Sequence, residues 1–173
     1  ERISGAQQVR LPCVGMLVSL VLAGCGSPGP RPVRYGAELC EHCHMTVSDP
    51  RFGGQLVTRK GRVFVFDDAG CLAAYVNDGM VPPEEVHSVW VNDFLDPKVL
   101  LEAGAANYLS VDGLRTPMGS GVIAVSTARE ADSLATIMGG HVLTWPEVLR
   151  RSHEAHTPVV GMRTEAAGPQ RGS

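Results

Sequence analysis

The sequence is poor in aromatic residues and has no long run of basic ones. Aromatic side chains make up 5% of the 173 residues, whereas 20 glycines and 12 prolines favour short strands and many turns. The formal net charge of −3, without a basic run, argues against a nucleic acid partner. The chain also lacks a nucleotide-binding fingerprint. Its length allows one domain, or two small ones, with a real core.

An apolar run long enough for a comfortable membrane span is missing too. The run that starts at Leu11 ends at Cys25, whereas a span needs about 20 residues. Its end, Leu22-Ala23-Gly24-Cys25, resembles a bacterial lipobox. We therefore expect residues 1–24 to be a lipoprotein signal peptide and Cys25 to carry lipid. The protein would then sit in the cell envelope, lipid-anchored to the bacterial membrane and facing the periplasm or the outside. An ordinary signal peptide or a short anchor helix is the alternative.

Few thiols remain once this segment is set aside. Cys13 lies inside the signal and Cys25 is acylated, which leaves Cys40, Cys43 and Cys71. An odd number of thiols in an exported protein is poor material for a disulfide framework. At least one of them is therefore free or bound to something. Cys71 falls on a predicted helix beside apolar residues, and we interpret it as a small buried hydrophobic residue.

Short strands and helices alternate in the middle of the chain, without the spacing of long βαβ units. This pattern predicts an α+β fold after a flexible tether at residues 25–36 and before a disordered tail at residues 152–173. Asp68 and Thr127 are predicted helix N-caps. We predict strands at 52–58, 62–67, 88–94, 107–111, 121–127 and 141–145, and helices at 69–78, 98–104, 128–138 and 146–151.

A weak internal duplication accompanies this alternation. Met45 opens a unit of loop, strand and helix, and Met118 opens another. We therefore predict two small, similar units of short antiparallel strands and helices, at residues 37–84 and 85–151. The duplication would place the two methionine loops at equivalent points of the two units, facing one another.

The chemistry is concentrated in one loop, Cys40-Glu41-His42-Cys43-His44-Met45. A zinc-stabilised interaction domain would use the two cysteines as one pair of ligands, but a convincing second pair is missing. A thiol-disulfide enzyme would use the same pair, but turn and strand residues follow instead of a helix that would activate a thiol. Both readings stay open, with His42 and His44 as either ligands or plain loop residues.

Copper is the third possibility, and the ligand types favour it. Cu(I) is a soft ion that prefers thiolate and thioether ligands, and Cys43 and Met45 offer both within three residues. Two or three soft ligands satisfy Cu(I), so a missing second pair is no obstacle. Met118 stands between proline and glycine in a predicted turn, which favours a ligand over a packed core residue.

Several stretches resemble the NosL family. They are CEHCHMTVSDPRFGGQLVTRKGRVFVFDD from residue 40, VWVNDF from residue 89 and TPMGSGVIAVS from residue 116, behind a lipobox. The resemblance covers nearly the whole mature chain, and its most specific parts are the Cys-x-Met step at 43–45 and Pro-Met-Gly at 117–119. It implies two small α+β units related to a domain of organomercurial lyase.

The resemblance also implies a function, which is to carry one Cu(I) ion as a metallochaperone and not as an enzyme. The expected partners are the nitrous oxide reductase apo-protein and an accessory membrane transporter for copper or sulfur. The implied ligands are Cys43, Met45 and Met118, with Cys40 as an extension of the motif. Asp67 and Asp68 are expected to help shape the site. A mercury-type cysteine enzyme is the remaining enzymatic alternative.

Overall fold

The computed structural model describes residues 27–156, with the side chains of residues 155 and 156 left aside. The predicted signal peptide and Cys25, the predicted lipidation site, lie outside these residues, as does the tail from residue 157. Within them, no helix combines the length and apolar character needed to cross a bilayer. The helices are α1 (Ala69–Asn77), α2 (Ala128–Met138) and α3 (Trp145–His156). The strands are β1 (Gly54–Thr58), β2 (Val63–Phe66), β3 (Val86–Asn92), β4 (Leu100–Glu102), β5 (Asn107–Ser110), β6 (Val122–Val125) and β7 (His141–Leu143).

The first sheet has the order β2-β1-β3-β4, and every neighbouring pair is antiparallel. Strand β1 lies at its centre, with Leu56 opposite Phe64 on one side and opposite Val89 on the other. All five residues of β1 are buried, because the sheet is covered on both faces. Helix α1 is preceded by its N-cap Asp68, whose side chain accepts a hydrogen bond from the Cys71 N–H.

The second sheet has the order β6-β5-β7 and repeats the topology of the first. In each unit a hairpin is followed by a helix and then by a strand that pairs with the first strand of the hairpin. The prediction of an α+β fold is confirmed. The capping box of α2 is confirmed as well, since Thr127 and Glu130 each bond the backbone of the other.

One continuous core joins the two units. Leu72 of α1, Phe66 of β2 and Tyr108 of β5 are each fully buried in the same cluster, together with Val148 of α3. The rings of Phe66 and Tyr75 lie 5.0 Å apart. Helix α3 packs along α1, so the last helix of the chain contacts the helix of the first unit. The interface between the units is therefore close-packed, and side chains at its edge are held in place.

The boundary between the units differs from the predicted one. Strands β3 and β4 pair into the first sheet, so the division falls after residue 102 and not after residue 84. The methionine loops are also not equivalent. Met45 precedes the first strand of its unit, whereas Met118 lies in the hairpin between β5 and β6.

The helix predicted at residues 98–104 is wrong. Its centre forms β4, where Leu101 pairs with Val91 and Leu100 with Asn92. Asp93 accepts backbone N–H bonds from residues 95 and 96, which turns the chain back toward β3. Seven residues are too few for a helix to be stable alone, so the ladder to β3 decides the conformation.

The ends of the folded part also extend beyond the prediction. At the tether, the backbone N–H and C=O of Arg31 bond the buried side chain of Gln55. Arg31 also pairs with Glu38, so the chain is docked on the first sheet from residue 31 onward. At the other end, α3 continues to His156, four residues past the start of the predicted tail. Ser152 follows Val148 by one helical turn and is buried on the same face.

Candidate metal centre

The loop that carries the two cysteines is closed by its own backbone. Leu39 and Thr46 form a bridge, and the Cys40 N–H donates to the Met45 carbonyl at 2.8 Å. His44 has a φ of 61°, a left-handed conformation that few residues other than glycine adopt. Its N–H donates to the Cys40 carbonyl at 2.9 Å, which folds Cys43 back toward Cys40. The Glu41 N–H donates to Val65, which fixes the loop on β2.

Three sulfur atoms come together beneath this loop. The Sγ atoms of Cys40, Cys43 and Cys71 all lie within 4.8 Å of one another. Cys71 reaches them from the first turn of α1, next to the N-cap Asp68. Cys40 and Cys71 are buried, whereas Cys43 is partly exposed. The group therefore has two closed sides and one side that opens to solvent.

The thiols differ in how readily they ionise. A hydrogen bond from the Cys71 thiol, helped by backbone N–H groups around the loop, lowers the pKa of Cys40 to about 5. The same hydrogen bond and burial raise the pKa of Cys71. Burial also raises the pKa of Cys43. Cys40 therefore ionises more readily than Cys43 or Cys71, and a metal ion that binds all three as thiolates displaces the protons that they still hold.

Asp68 connects the thiol group to the Met118 loop. Its Oδ1 accepts from the Cys71 N–H at 2.9 Å, and its Oδ2 accepts from the Thr116 hydroxyl at 2.9 Å and from the Met118 N–H at 3.1 Å. The carboxylate is fully buried. Gly70 permits this approach, because a Cβ there would lie 2.6 Å from the Ser120 Cβ. Asp68 therefore positions the β5–β6 loop against the N-terminus of α1.

A cavity of about 310 Å³ opens between these elements. Cys71 and Met118 both line it, so a thiol of the cluster and a thioether of the second unit face one space. The other lining residues are His42, Asp68, Gly70, Gly119, Ser120, Val122, Val148, Arg151 and Ser152. The wall is largely apolar, with polar groups at a few points, which is typical of small-molecule and cofactor sites.

The predicted site residues divide into three groups. Cys40 and Cys43 are brought together in the cluster, and Met118 is brought to the cavity beside it. Met45 is 54% exposed and does not line the cavity, although its carbonyl holds Cys40 in place. Within the described residues, the three thiols form the one group of cysteine, histidine and acidic side chains close enough to share a metal ion.

The predicted supporting residues lie around this group in different ways. His42 lines the cavity and its Nε2 lies 3.6 Å from Asp78 Oδ2, whereas His44 is exposed on the turn. Asp67 is buried and accepts from the Ser48 N–H at 3.0 Å. Burial, together with the negative charge of Cys40, raises the pKa of the Asp67 carboxyl. Asp67 thus holds the chain just after the cysteine loop, and its supporting role at the site stays a prediction.

Sequence reasoning missed Cys71, which was interpreted as a small buried hydrophobic residue. It is buried, but its sulfur belongs to the cluster. The odd number of thiols was the signal that pointed to it. Helical periodicity gave the face of α1 on which Cys71 lies, but only the docking of the loop on β2 shows that this face meets Cys40.

Fold and site together define a class, namely a small α+β protein with a centre of thiol and thioether groups suited to a soft metal ion. The family model of NosL matches residues 34–152. This match spans more than half of the chain, and the protein belongs to the NosL family.

One solved structure extends this comparison. The chain is similar to the crystal structure of the copper chaperone NosL from Shewanella denitrificans, with 18% sequence identity and a TM-score of 0.60. The similarity covers 69% of this chain and 95% of that one. At this identity the likeness supports the fold. A search of curated proteins finds no match.

Proposed function

We propose that this protein is a copper chaperone that binds Cu(I) at the Cys40, Cys43 and Cys71 thiols, with the Met118 thioether at the open side. The proposal rests chiefly on one observation, the three sulfur atoms within 4.8 Å of one another. Thiolates and thioethers are the ligands that Cu(I) prefers, and three thiols and one thioether are the sulfur groups offered here. Membership of the NosL family supports the same metal.

Transfer would proceed by ligand exchange, with no change in the oxidation state of the metal. Cys40 and Cys71 are buried, so they hold the ion from the inside, with Cys71 also facing the cavity that Met118 lines. Cys43 and Met118 are partly exposed, so incoming ligands meet the ion on their side. A receiving sulfur or imidazole bonds copper there before the inner thiolates let go. The ion moves without being free in solution.

The destination and location that we propose rest on the resemblance to the family and on the lipobox pattern in the sequence. We propose delivery to the nitrous oxide reductase apo-protein, with help from an accessory copper or sulfur transporter in the membrane. The chain would be exported and held on the bacterial membrane by lipid on Cys25, facing the periplasm or the outside. A deletion strain complemented with the gene tests the destination. A reductase that acquires its full copper content without this protein would contradict it.

Competition with a Cu(I) chelator under reducing conditions tests the metal site. We expect one copper per chain. We expect Cys71→Ser and Cys43→Ser to weaken binding by about tenfold or more, because each removes one of three thiolates. Met118→Leu should weaken it less and mainly speed up release. Met80→Leu is the matched control, since Met80 is exposed at the end of α1, outside the cavity lining. Parent-like affinity in the two serine variants would refute the site.

The same variants decide the place of Met45. Its exposure of 54% makes it a weaker candidate than Met118, although it lies next to the loop that holds Cys43. If Met45→Leu lowers copper affinity as much as Met118→Leu does, the Met45 side chain binds the ion once copper is present. Parent-like affinity would leave Met45 as a surface residue, and its part in the predicted ligand set would be wrong.

The low pKa of Cys40 favours a second function, that of a thiol enzyme. A thiolate with a pKa of about 5 is a good nucleophile in principle. Cys40 is fully buried, however, whereas reactive cysteines lie where a substrate can reach them. Alkylation with iodoacetamide against pH separates the two functions. A carrier should show slow alkylation of Cys40 at every pH, whereas rapid alkylation below pH 7 would favour the enzyme.

A further inference from the structure

The cavity between α1, α3 and the Met118 loop contains more than metal ligands. Its volume of about 310 Å³ falls at the lower end of small-molecule sites, so it has room for a small molecule beside a single ion. Cys71 is the point where its wall meets the thiol cluster. A molecule that enters the cavity therefore arrives beside Cys71 and Met118, next to the proposed position of the ion.

The charged and polar groups that line this cavity favour one chemical class of ligand. Arg151 and His42 are the basic residues of the lining, and Ser120 and Ser152 add hydroxyl groups; Arg151 is exposed to solvent. Arg150, next to it, lies 3.9 Å from Glu147, whereas within residues 27–154 Arg151 forms no ion pair with a carboxylate. Asp68 also lines the cavity, but its two oxygens already accept three hydrogen bonds. Arg151 thus brings to the lining a permanent positive charge that is not already paired with Asp68.

We propose that this cavity binds a small thiol that carries a carboxylate, with the carboxylate on Arg151 and the sulfur toward Cys71. The proposal rests on the proposed function, because the incoming sulfur is to bond the copper ion held by the cluster. In that step the thiol gives its proton to solvent and its sulfur bonds copper. One bond between copper and a protein sulfur breaks, and the copper stays Cu(I). The small thiol then serves as an exchange ligand that starts release.

The test compares two thiols of nearly the same size, mercaptoacetate and 2-mercaptoethanol, which differ in the carboxylate. Each is titrated into the copper-loaded full chain, and the rate of copper transfer to excess chelator is measured against thiolate concentration. We expect mercaptoacetate to reach half of its maximal rate at a concentration about fivefold lower than 2-mercaptoethanol requires. The reason is that its carboxylate forms an exposed ion pair with Arg151, which strengthens binding by about this factor. Chelator competition measured first on the same sample reports copper affinity by itself.

Two substitutions at an exposed position make the comparison specific. Arg151→Gln should remove the preference for mercaptoacetate, and Arg151→Glu should reverse it. Arg150→Gln, the matched control outside the cavity lining, should keep it. Equal response to both thiols in the parent chain, or an unchanged preference in Arg151→Gln, would overturn the exchange site while leaving copper binding intact. Failure of the chain to bind copper would overturn the proposed function, and this inference with it.

Discussion

The Asp68 carboxylate gives the sharpest test of how the site is held, because its two oxygens accept three hydrogen bonds. The donors are the Cys71 N–H in α1 and, from the β5–β6 loop, the Thr116 hydroxyl and the Met118 N–H. In Asp68→Asn one oxygen becomes an NH₂ group, so in either amide orientation a donor faces a donor. A buried donor left without an acceptor costs about 1–3 kcal/mol. We therefore expect the variant to lose about 2 kcal/mol of unfolding free energy.

The alanine variant should lose more. Asp68→Ala removes the cap of α1, which is worth about 1 kcal/mol, and leaves the donors of the Met118 loop without an acceptor. The Thr116 hydroxyl can still donate to the Ser120 hydroxyl, which lies 3.2 Å away. The Met118 N–H is then the donor left without an acceptor, and its cost of about 2 kcal/mol is the larger part of the lost stability. The expected total is about 3 kcal/mol. Urea unfolding of the metal-free protein, followed by circular dichroism, measures both variants.

A plain helix cap supplies the control. Thr127 caps α2 at an exposed position, so Thr127→Ala should cost about 1 kcal/mol and leave copper affinity unchanged. Asparagine caps helices as well as aspartate does. If Asp68 acts only as a cap, Asp68→Asn should therefore be neutral. Stability within about 0.5 kcal/mol of the parent, together with unchanged copper affinity, would refute the idea that Asp68 ties Met118 to the thiol cluster.

Two further substitutions test the surroundings of the site. Gly70→Ala should destabilise the chain by about 1–3 kcal/mol and weaken copper binding, because its Cβ would lie 2.6 Å from the Ser120 Cβ. Gly104→Ala is the control, because a Cβ at Gly104 would meet no atom within 4 Å, and it should change stability by less than about 0.5 kcal/mol. Equal losses of unfolding free energy for the two variants in urea would contradict the clash at Gly70. The Arg31 guanidinium lowers the pKa of Glu38 from 4.5 to about 2, so the stability from this pair is present above pH 4.5 and lost as the pH falls toward 2. In Glu38→Gln the free energy of unfolding should fall less steeply at acid pH, and it should be lower than in the parent by about 1 kcal/mol at pH 7. An unchanged dependence of the unfolding free energy on pH would contradict this prediction.

Local patterns in the sequence predicted the elements whose conformation is decided locally. The capping box at Thr127 and the apolar stripe after it lead directly to α2, and the cap at Asp68 leads to α1. The segment at residues 98–104 shows the opposite case. Its helical pattern is short, and pairing with β3 overrides it, a contact that local sequence does not reveal. The same pairing moved the boundary between the units.

The residues of the candidate site likewise divide into those whose positions local sequence predicts and those whose positions depend on tertiary packing. Cys40 and Cys43 are neighbours in sequence, so their closeness was predictable from the turn between them. Cys71 and Met118 come from other elements, and their positions depend on how α1 and the β5–β6 hairpin pack together. Asp68 was predicted as a cap, which it is. Its second oxygen, which holds the Met118 loop, has no local signature, because that contact spans 50 residues.

This assembly from distant segments has a consequence for how copper acts on the protein. The cysteine loop, helix α1 and the β5–β6 hairpin carry the proposed ligands, and the last of these belongs to the other unit. A chain that has lost the packing between its units no longer holds Met118 beside the cavity that Cys71 lines, so under the proposed function copper binds the native state far better than the unfolded one. Binding must then raise the stability of both units in one cooperative step, by about 4 kcal/mol at a free metal concentration 1,000-fold above the dissociation constant. A zinc knuckle confined to residues 40–45 would instead stabilise only its own loop.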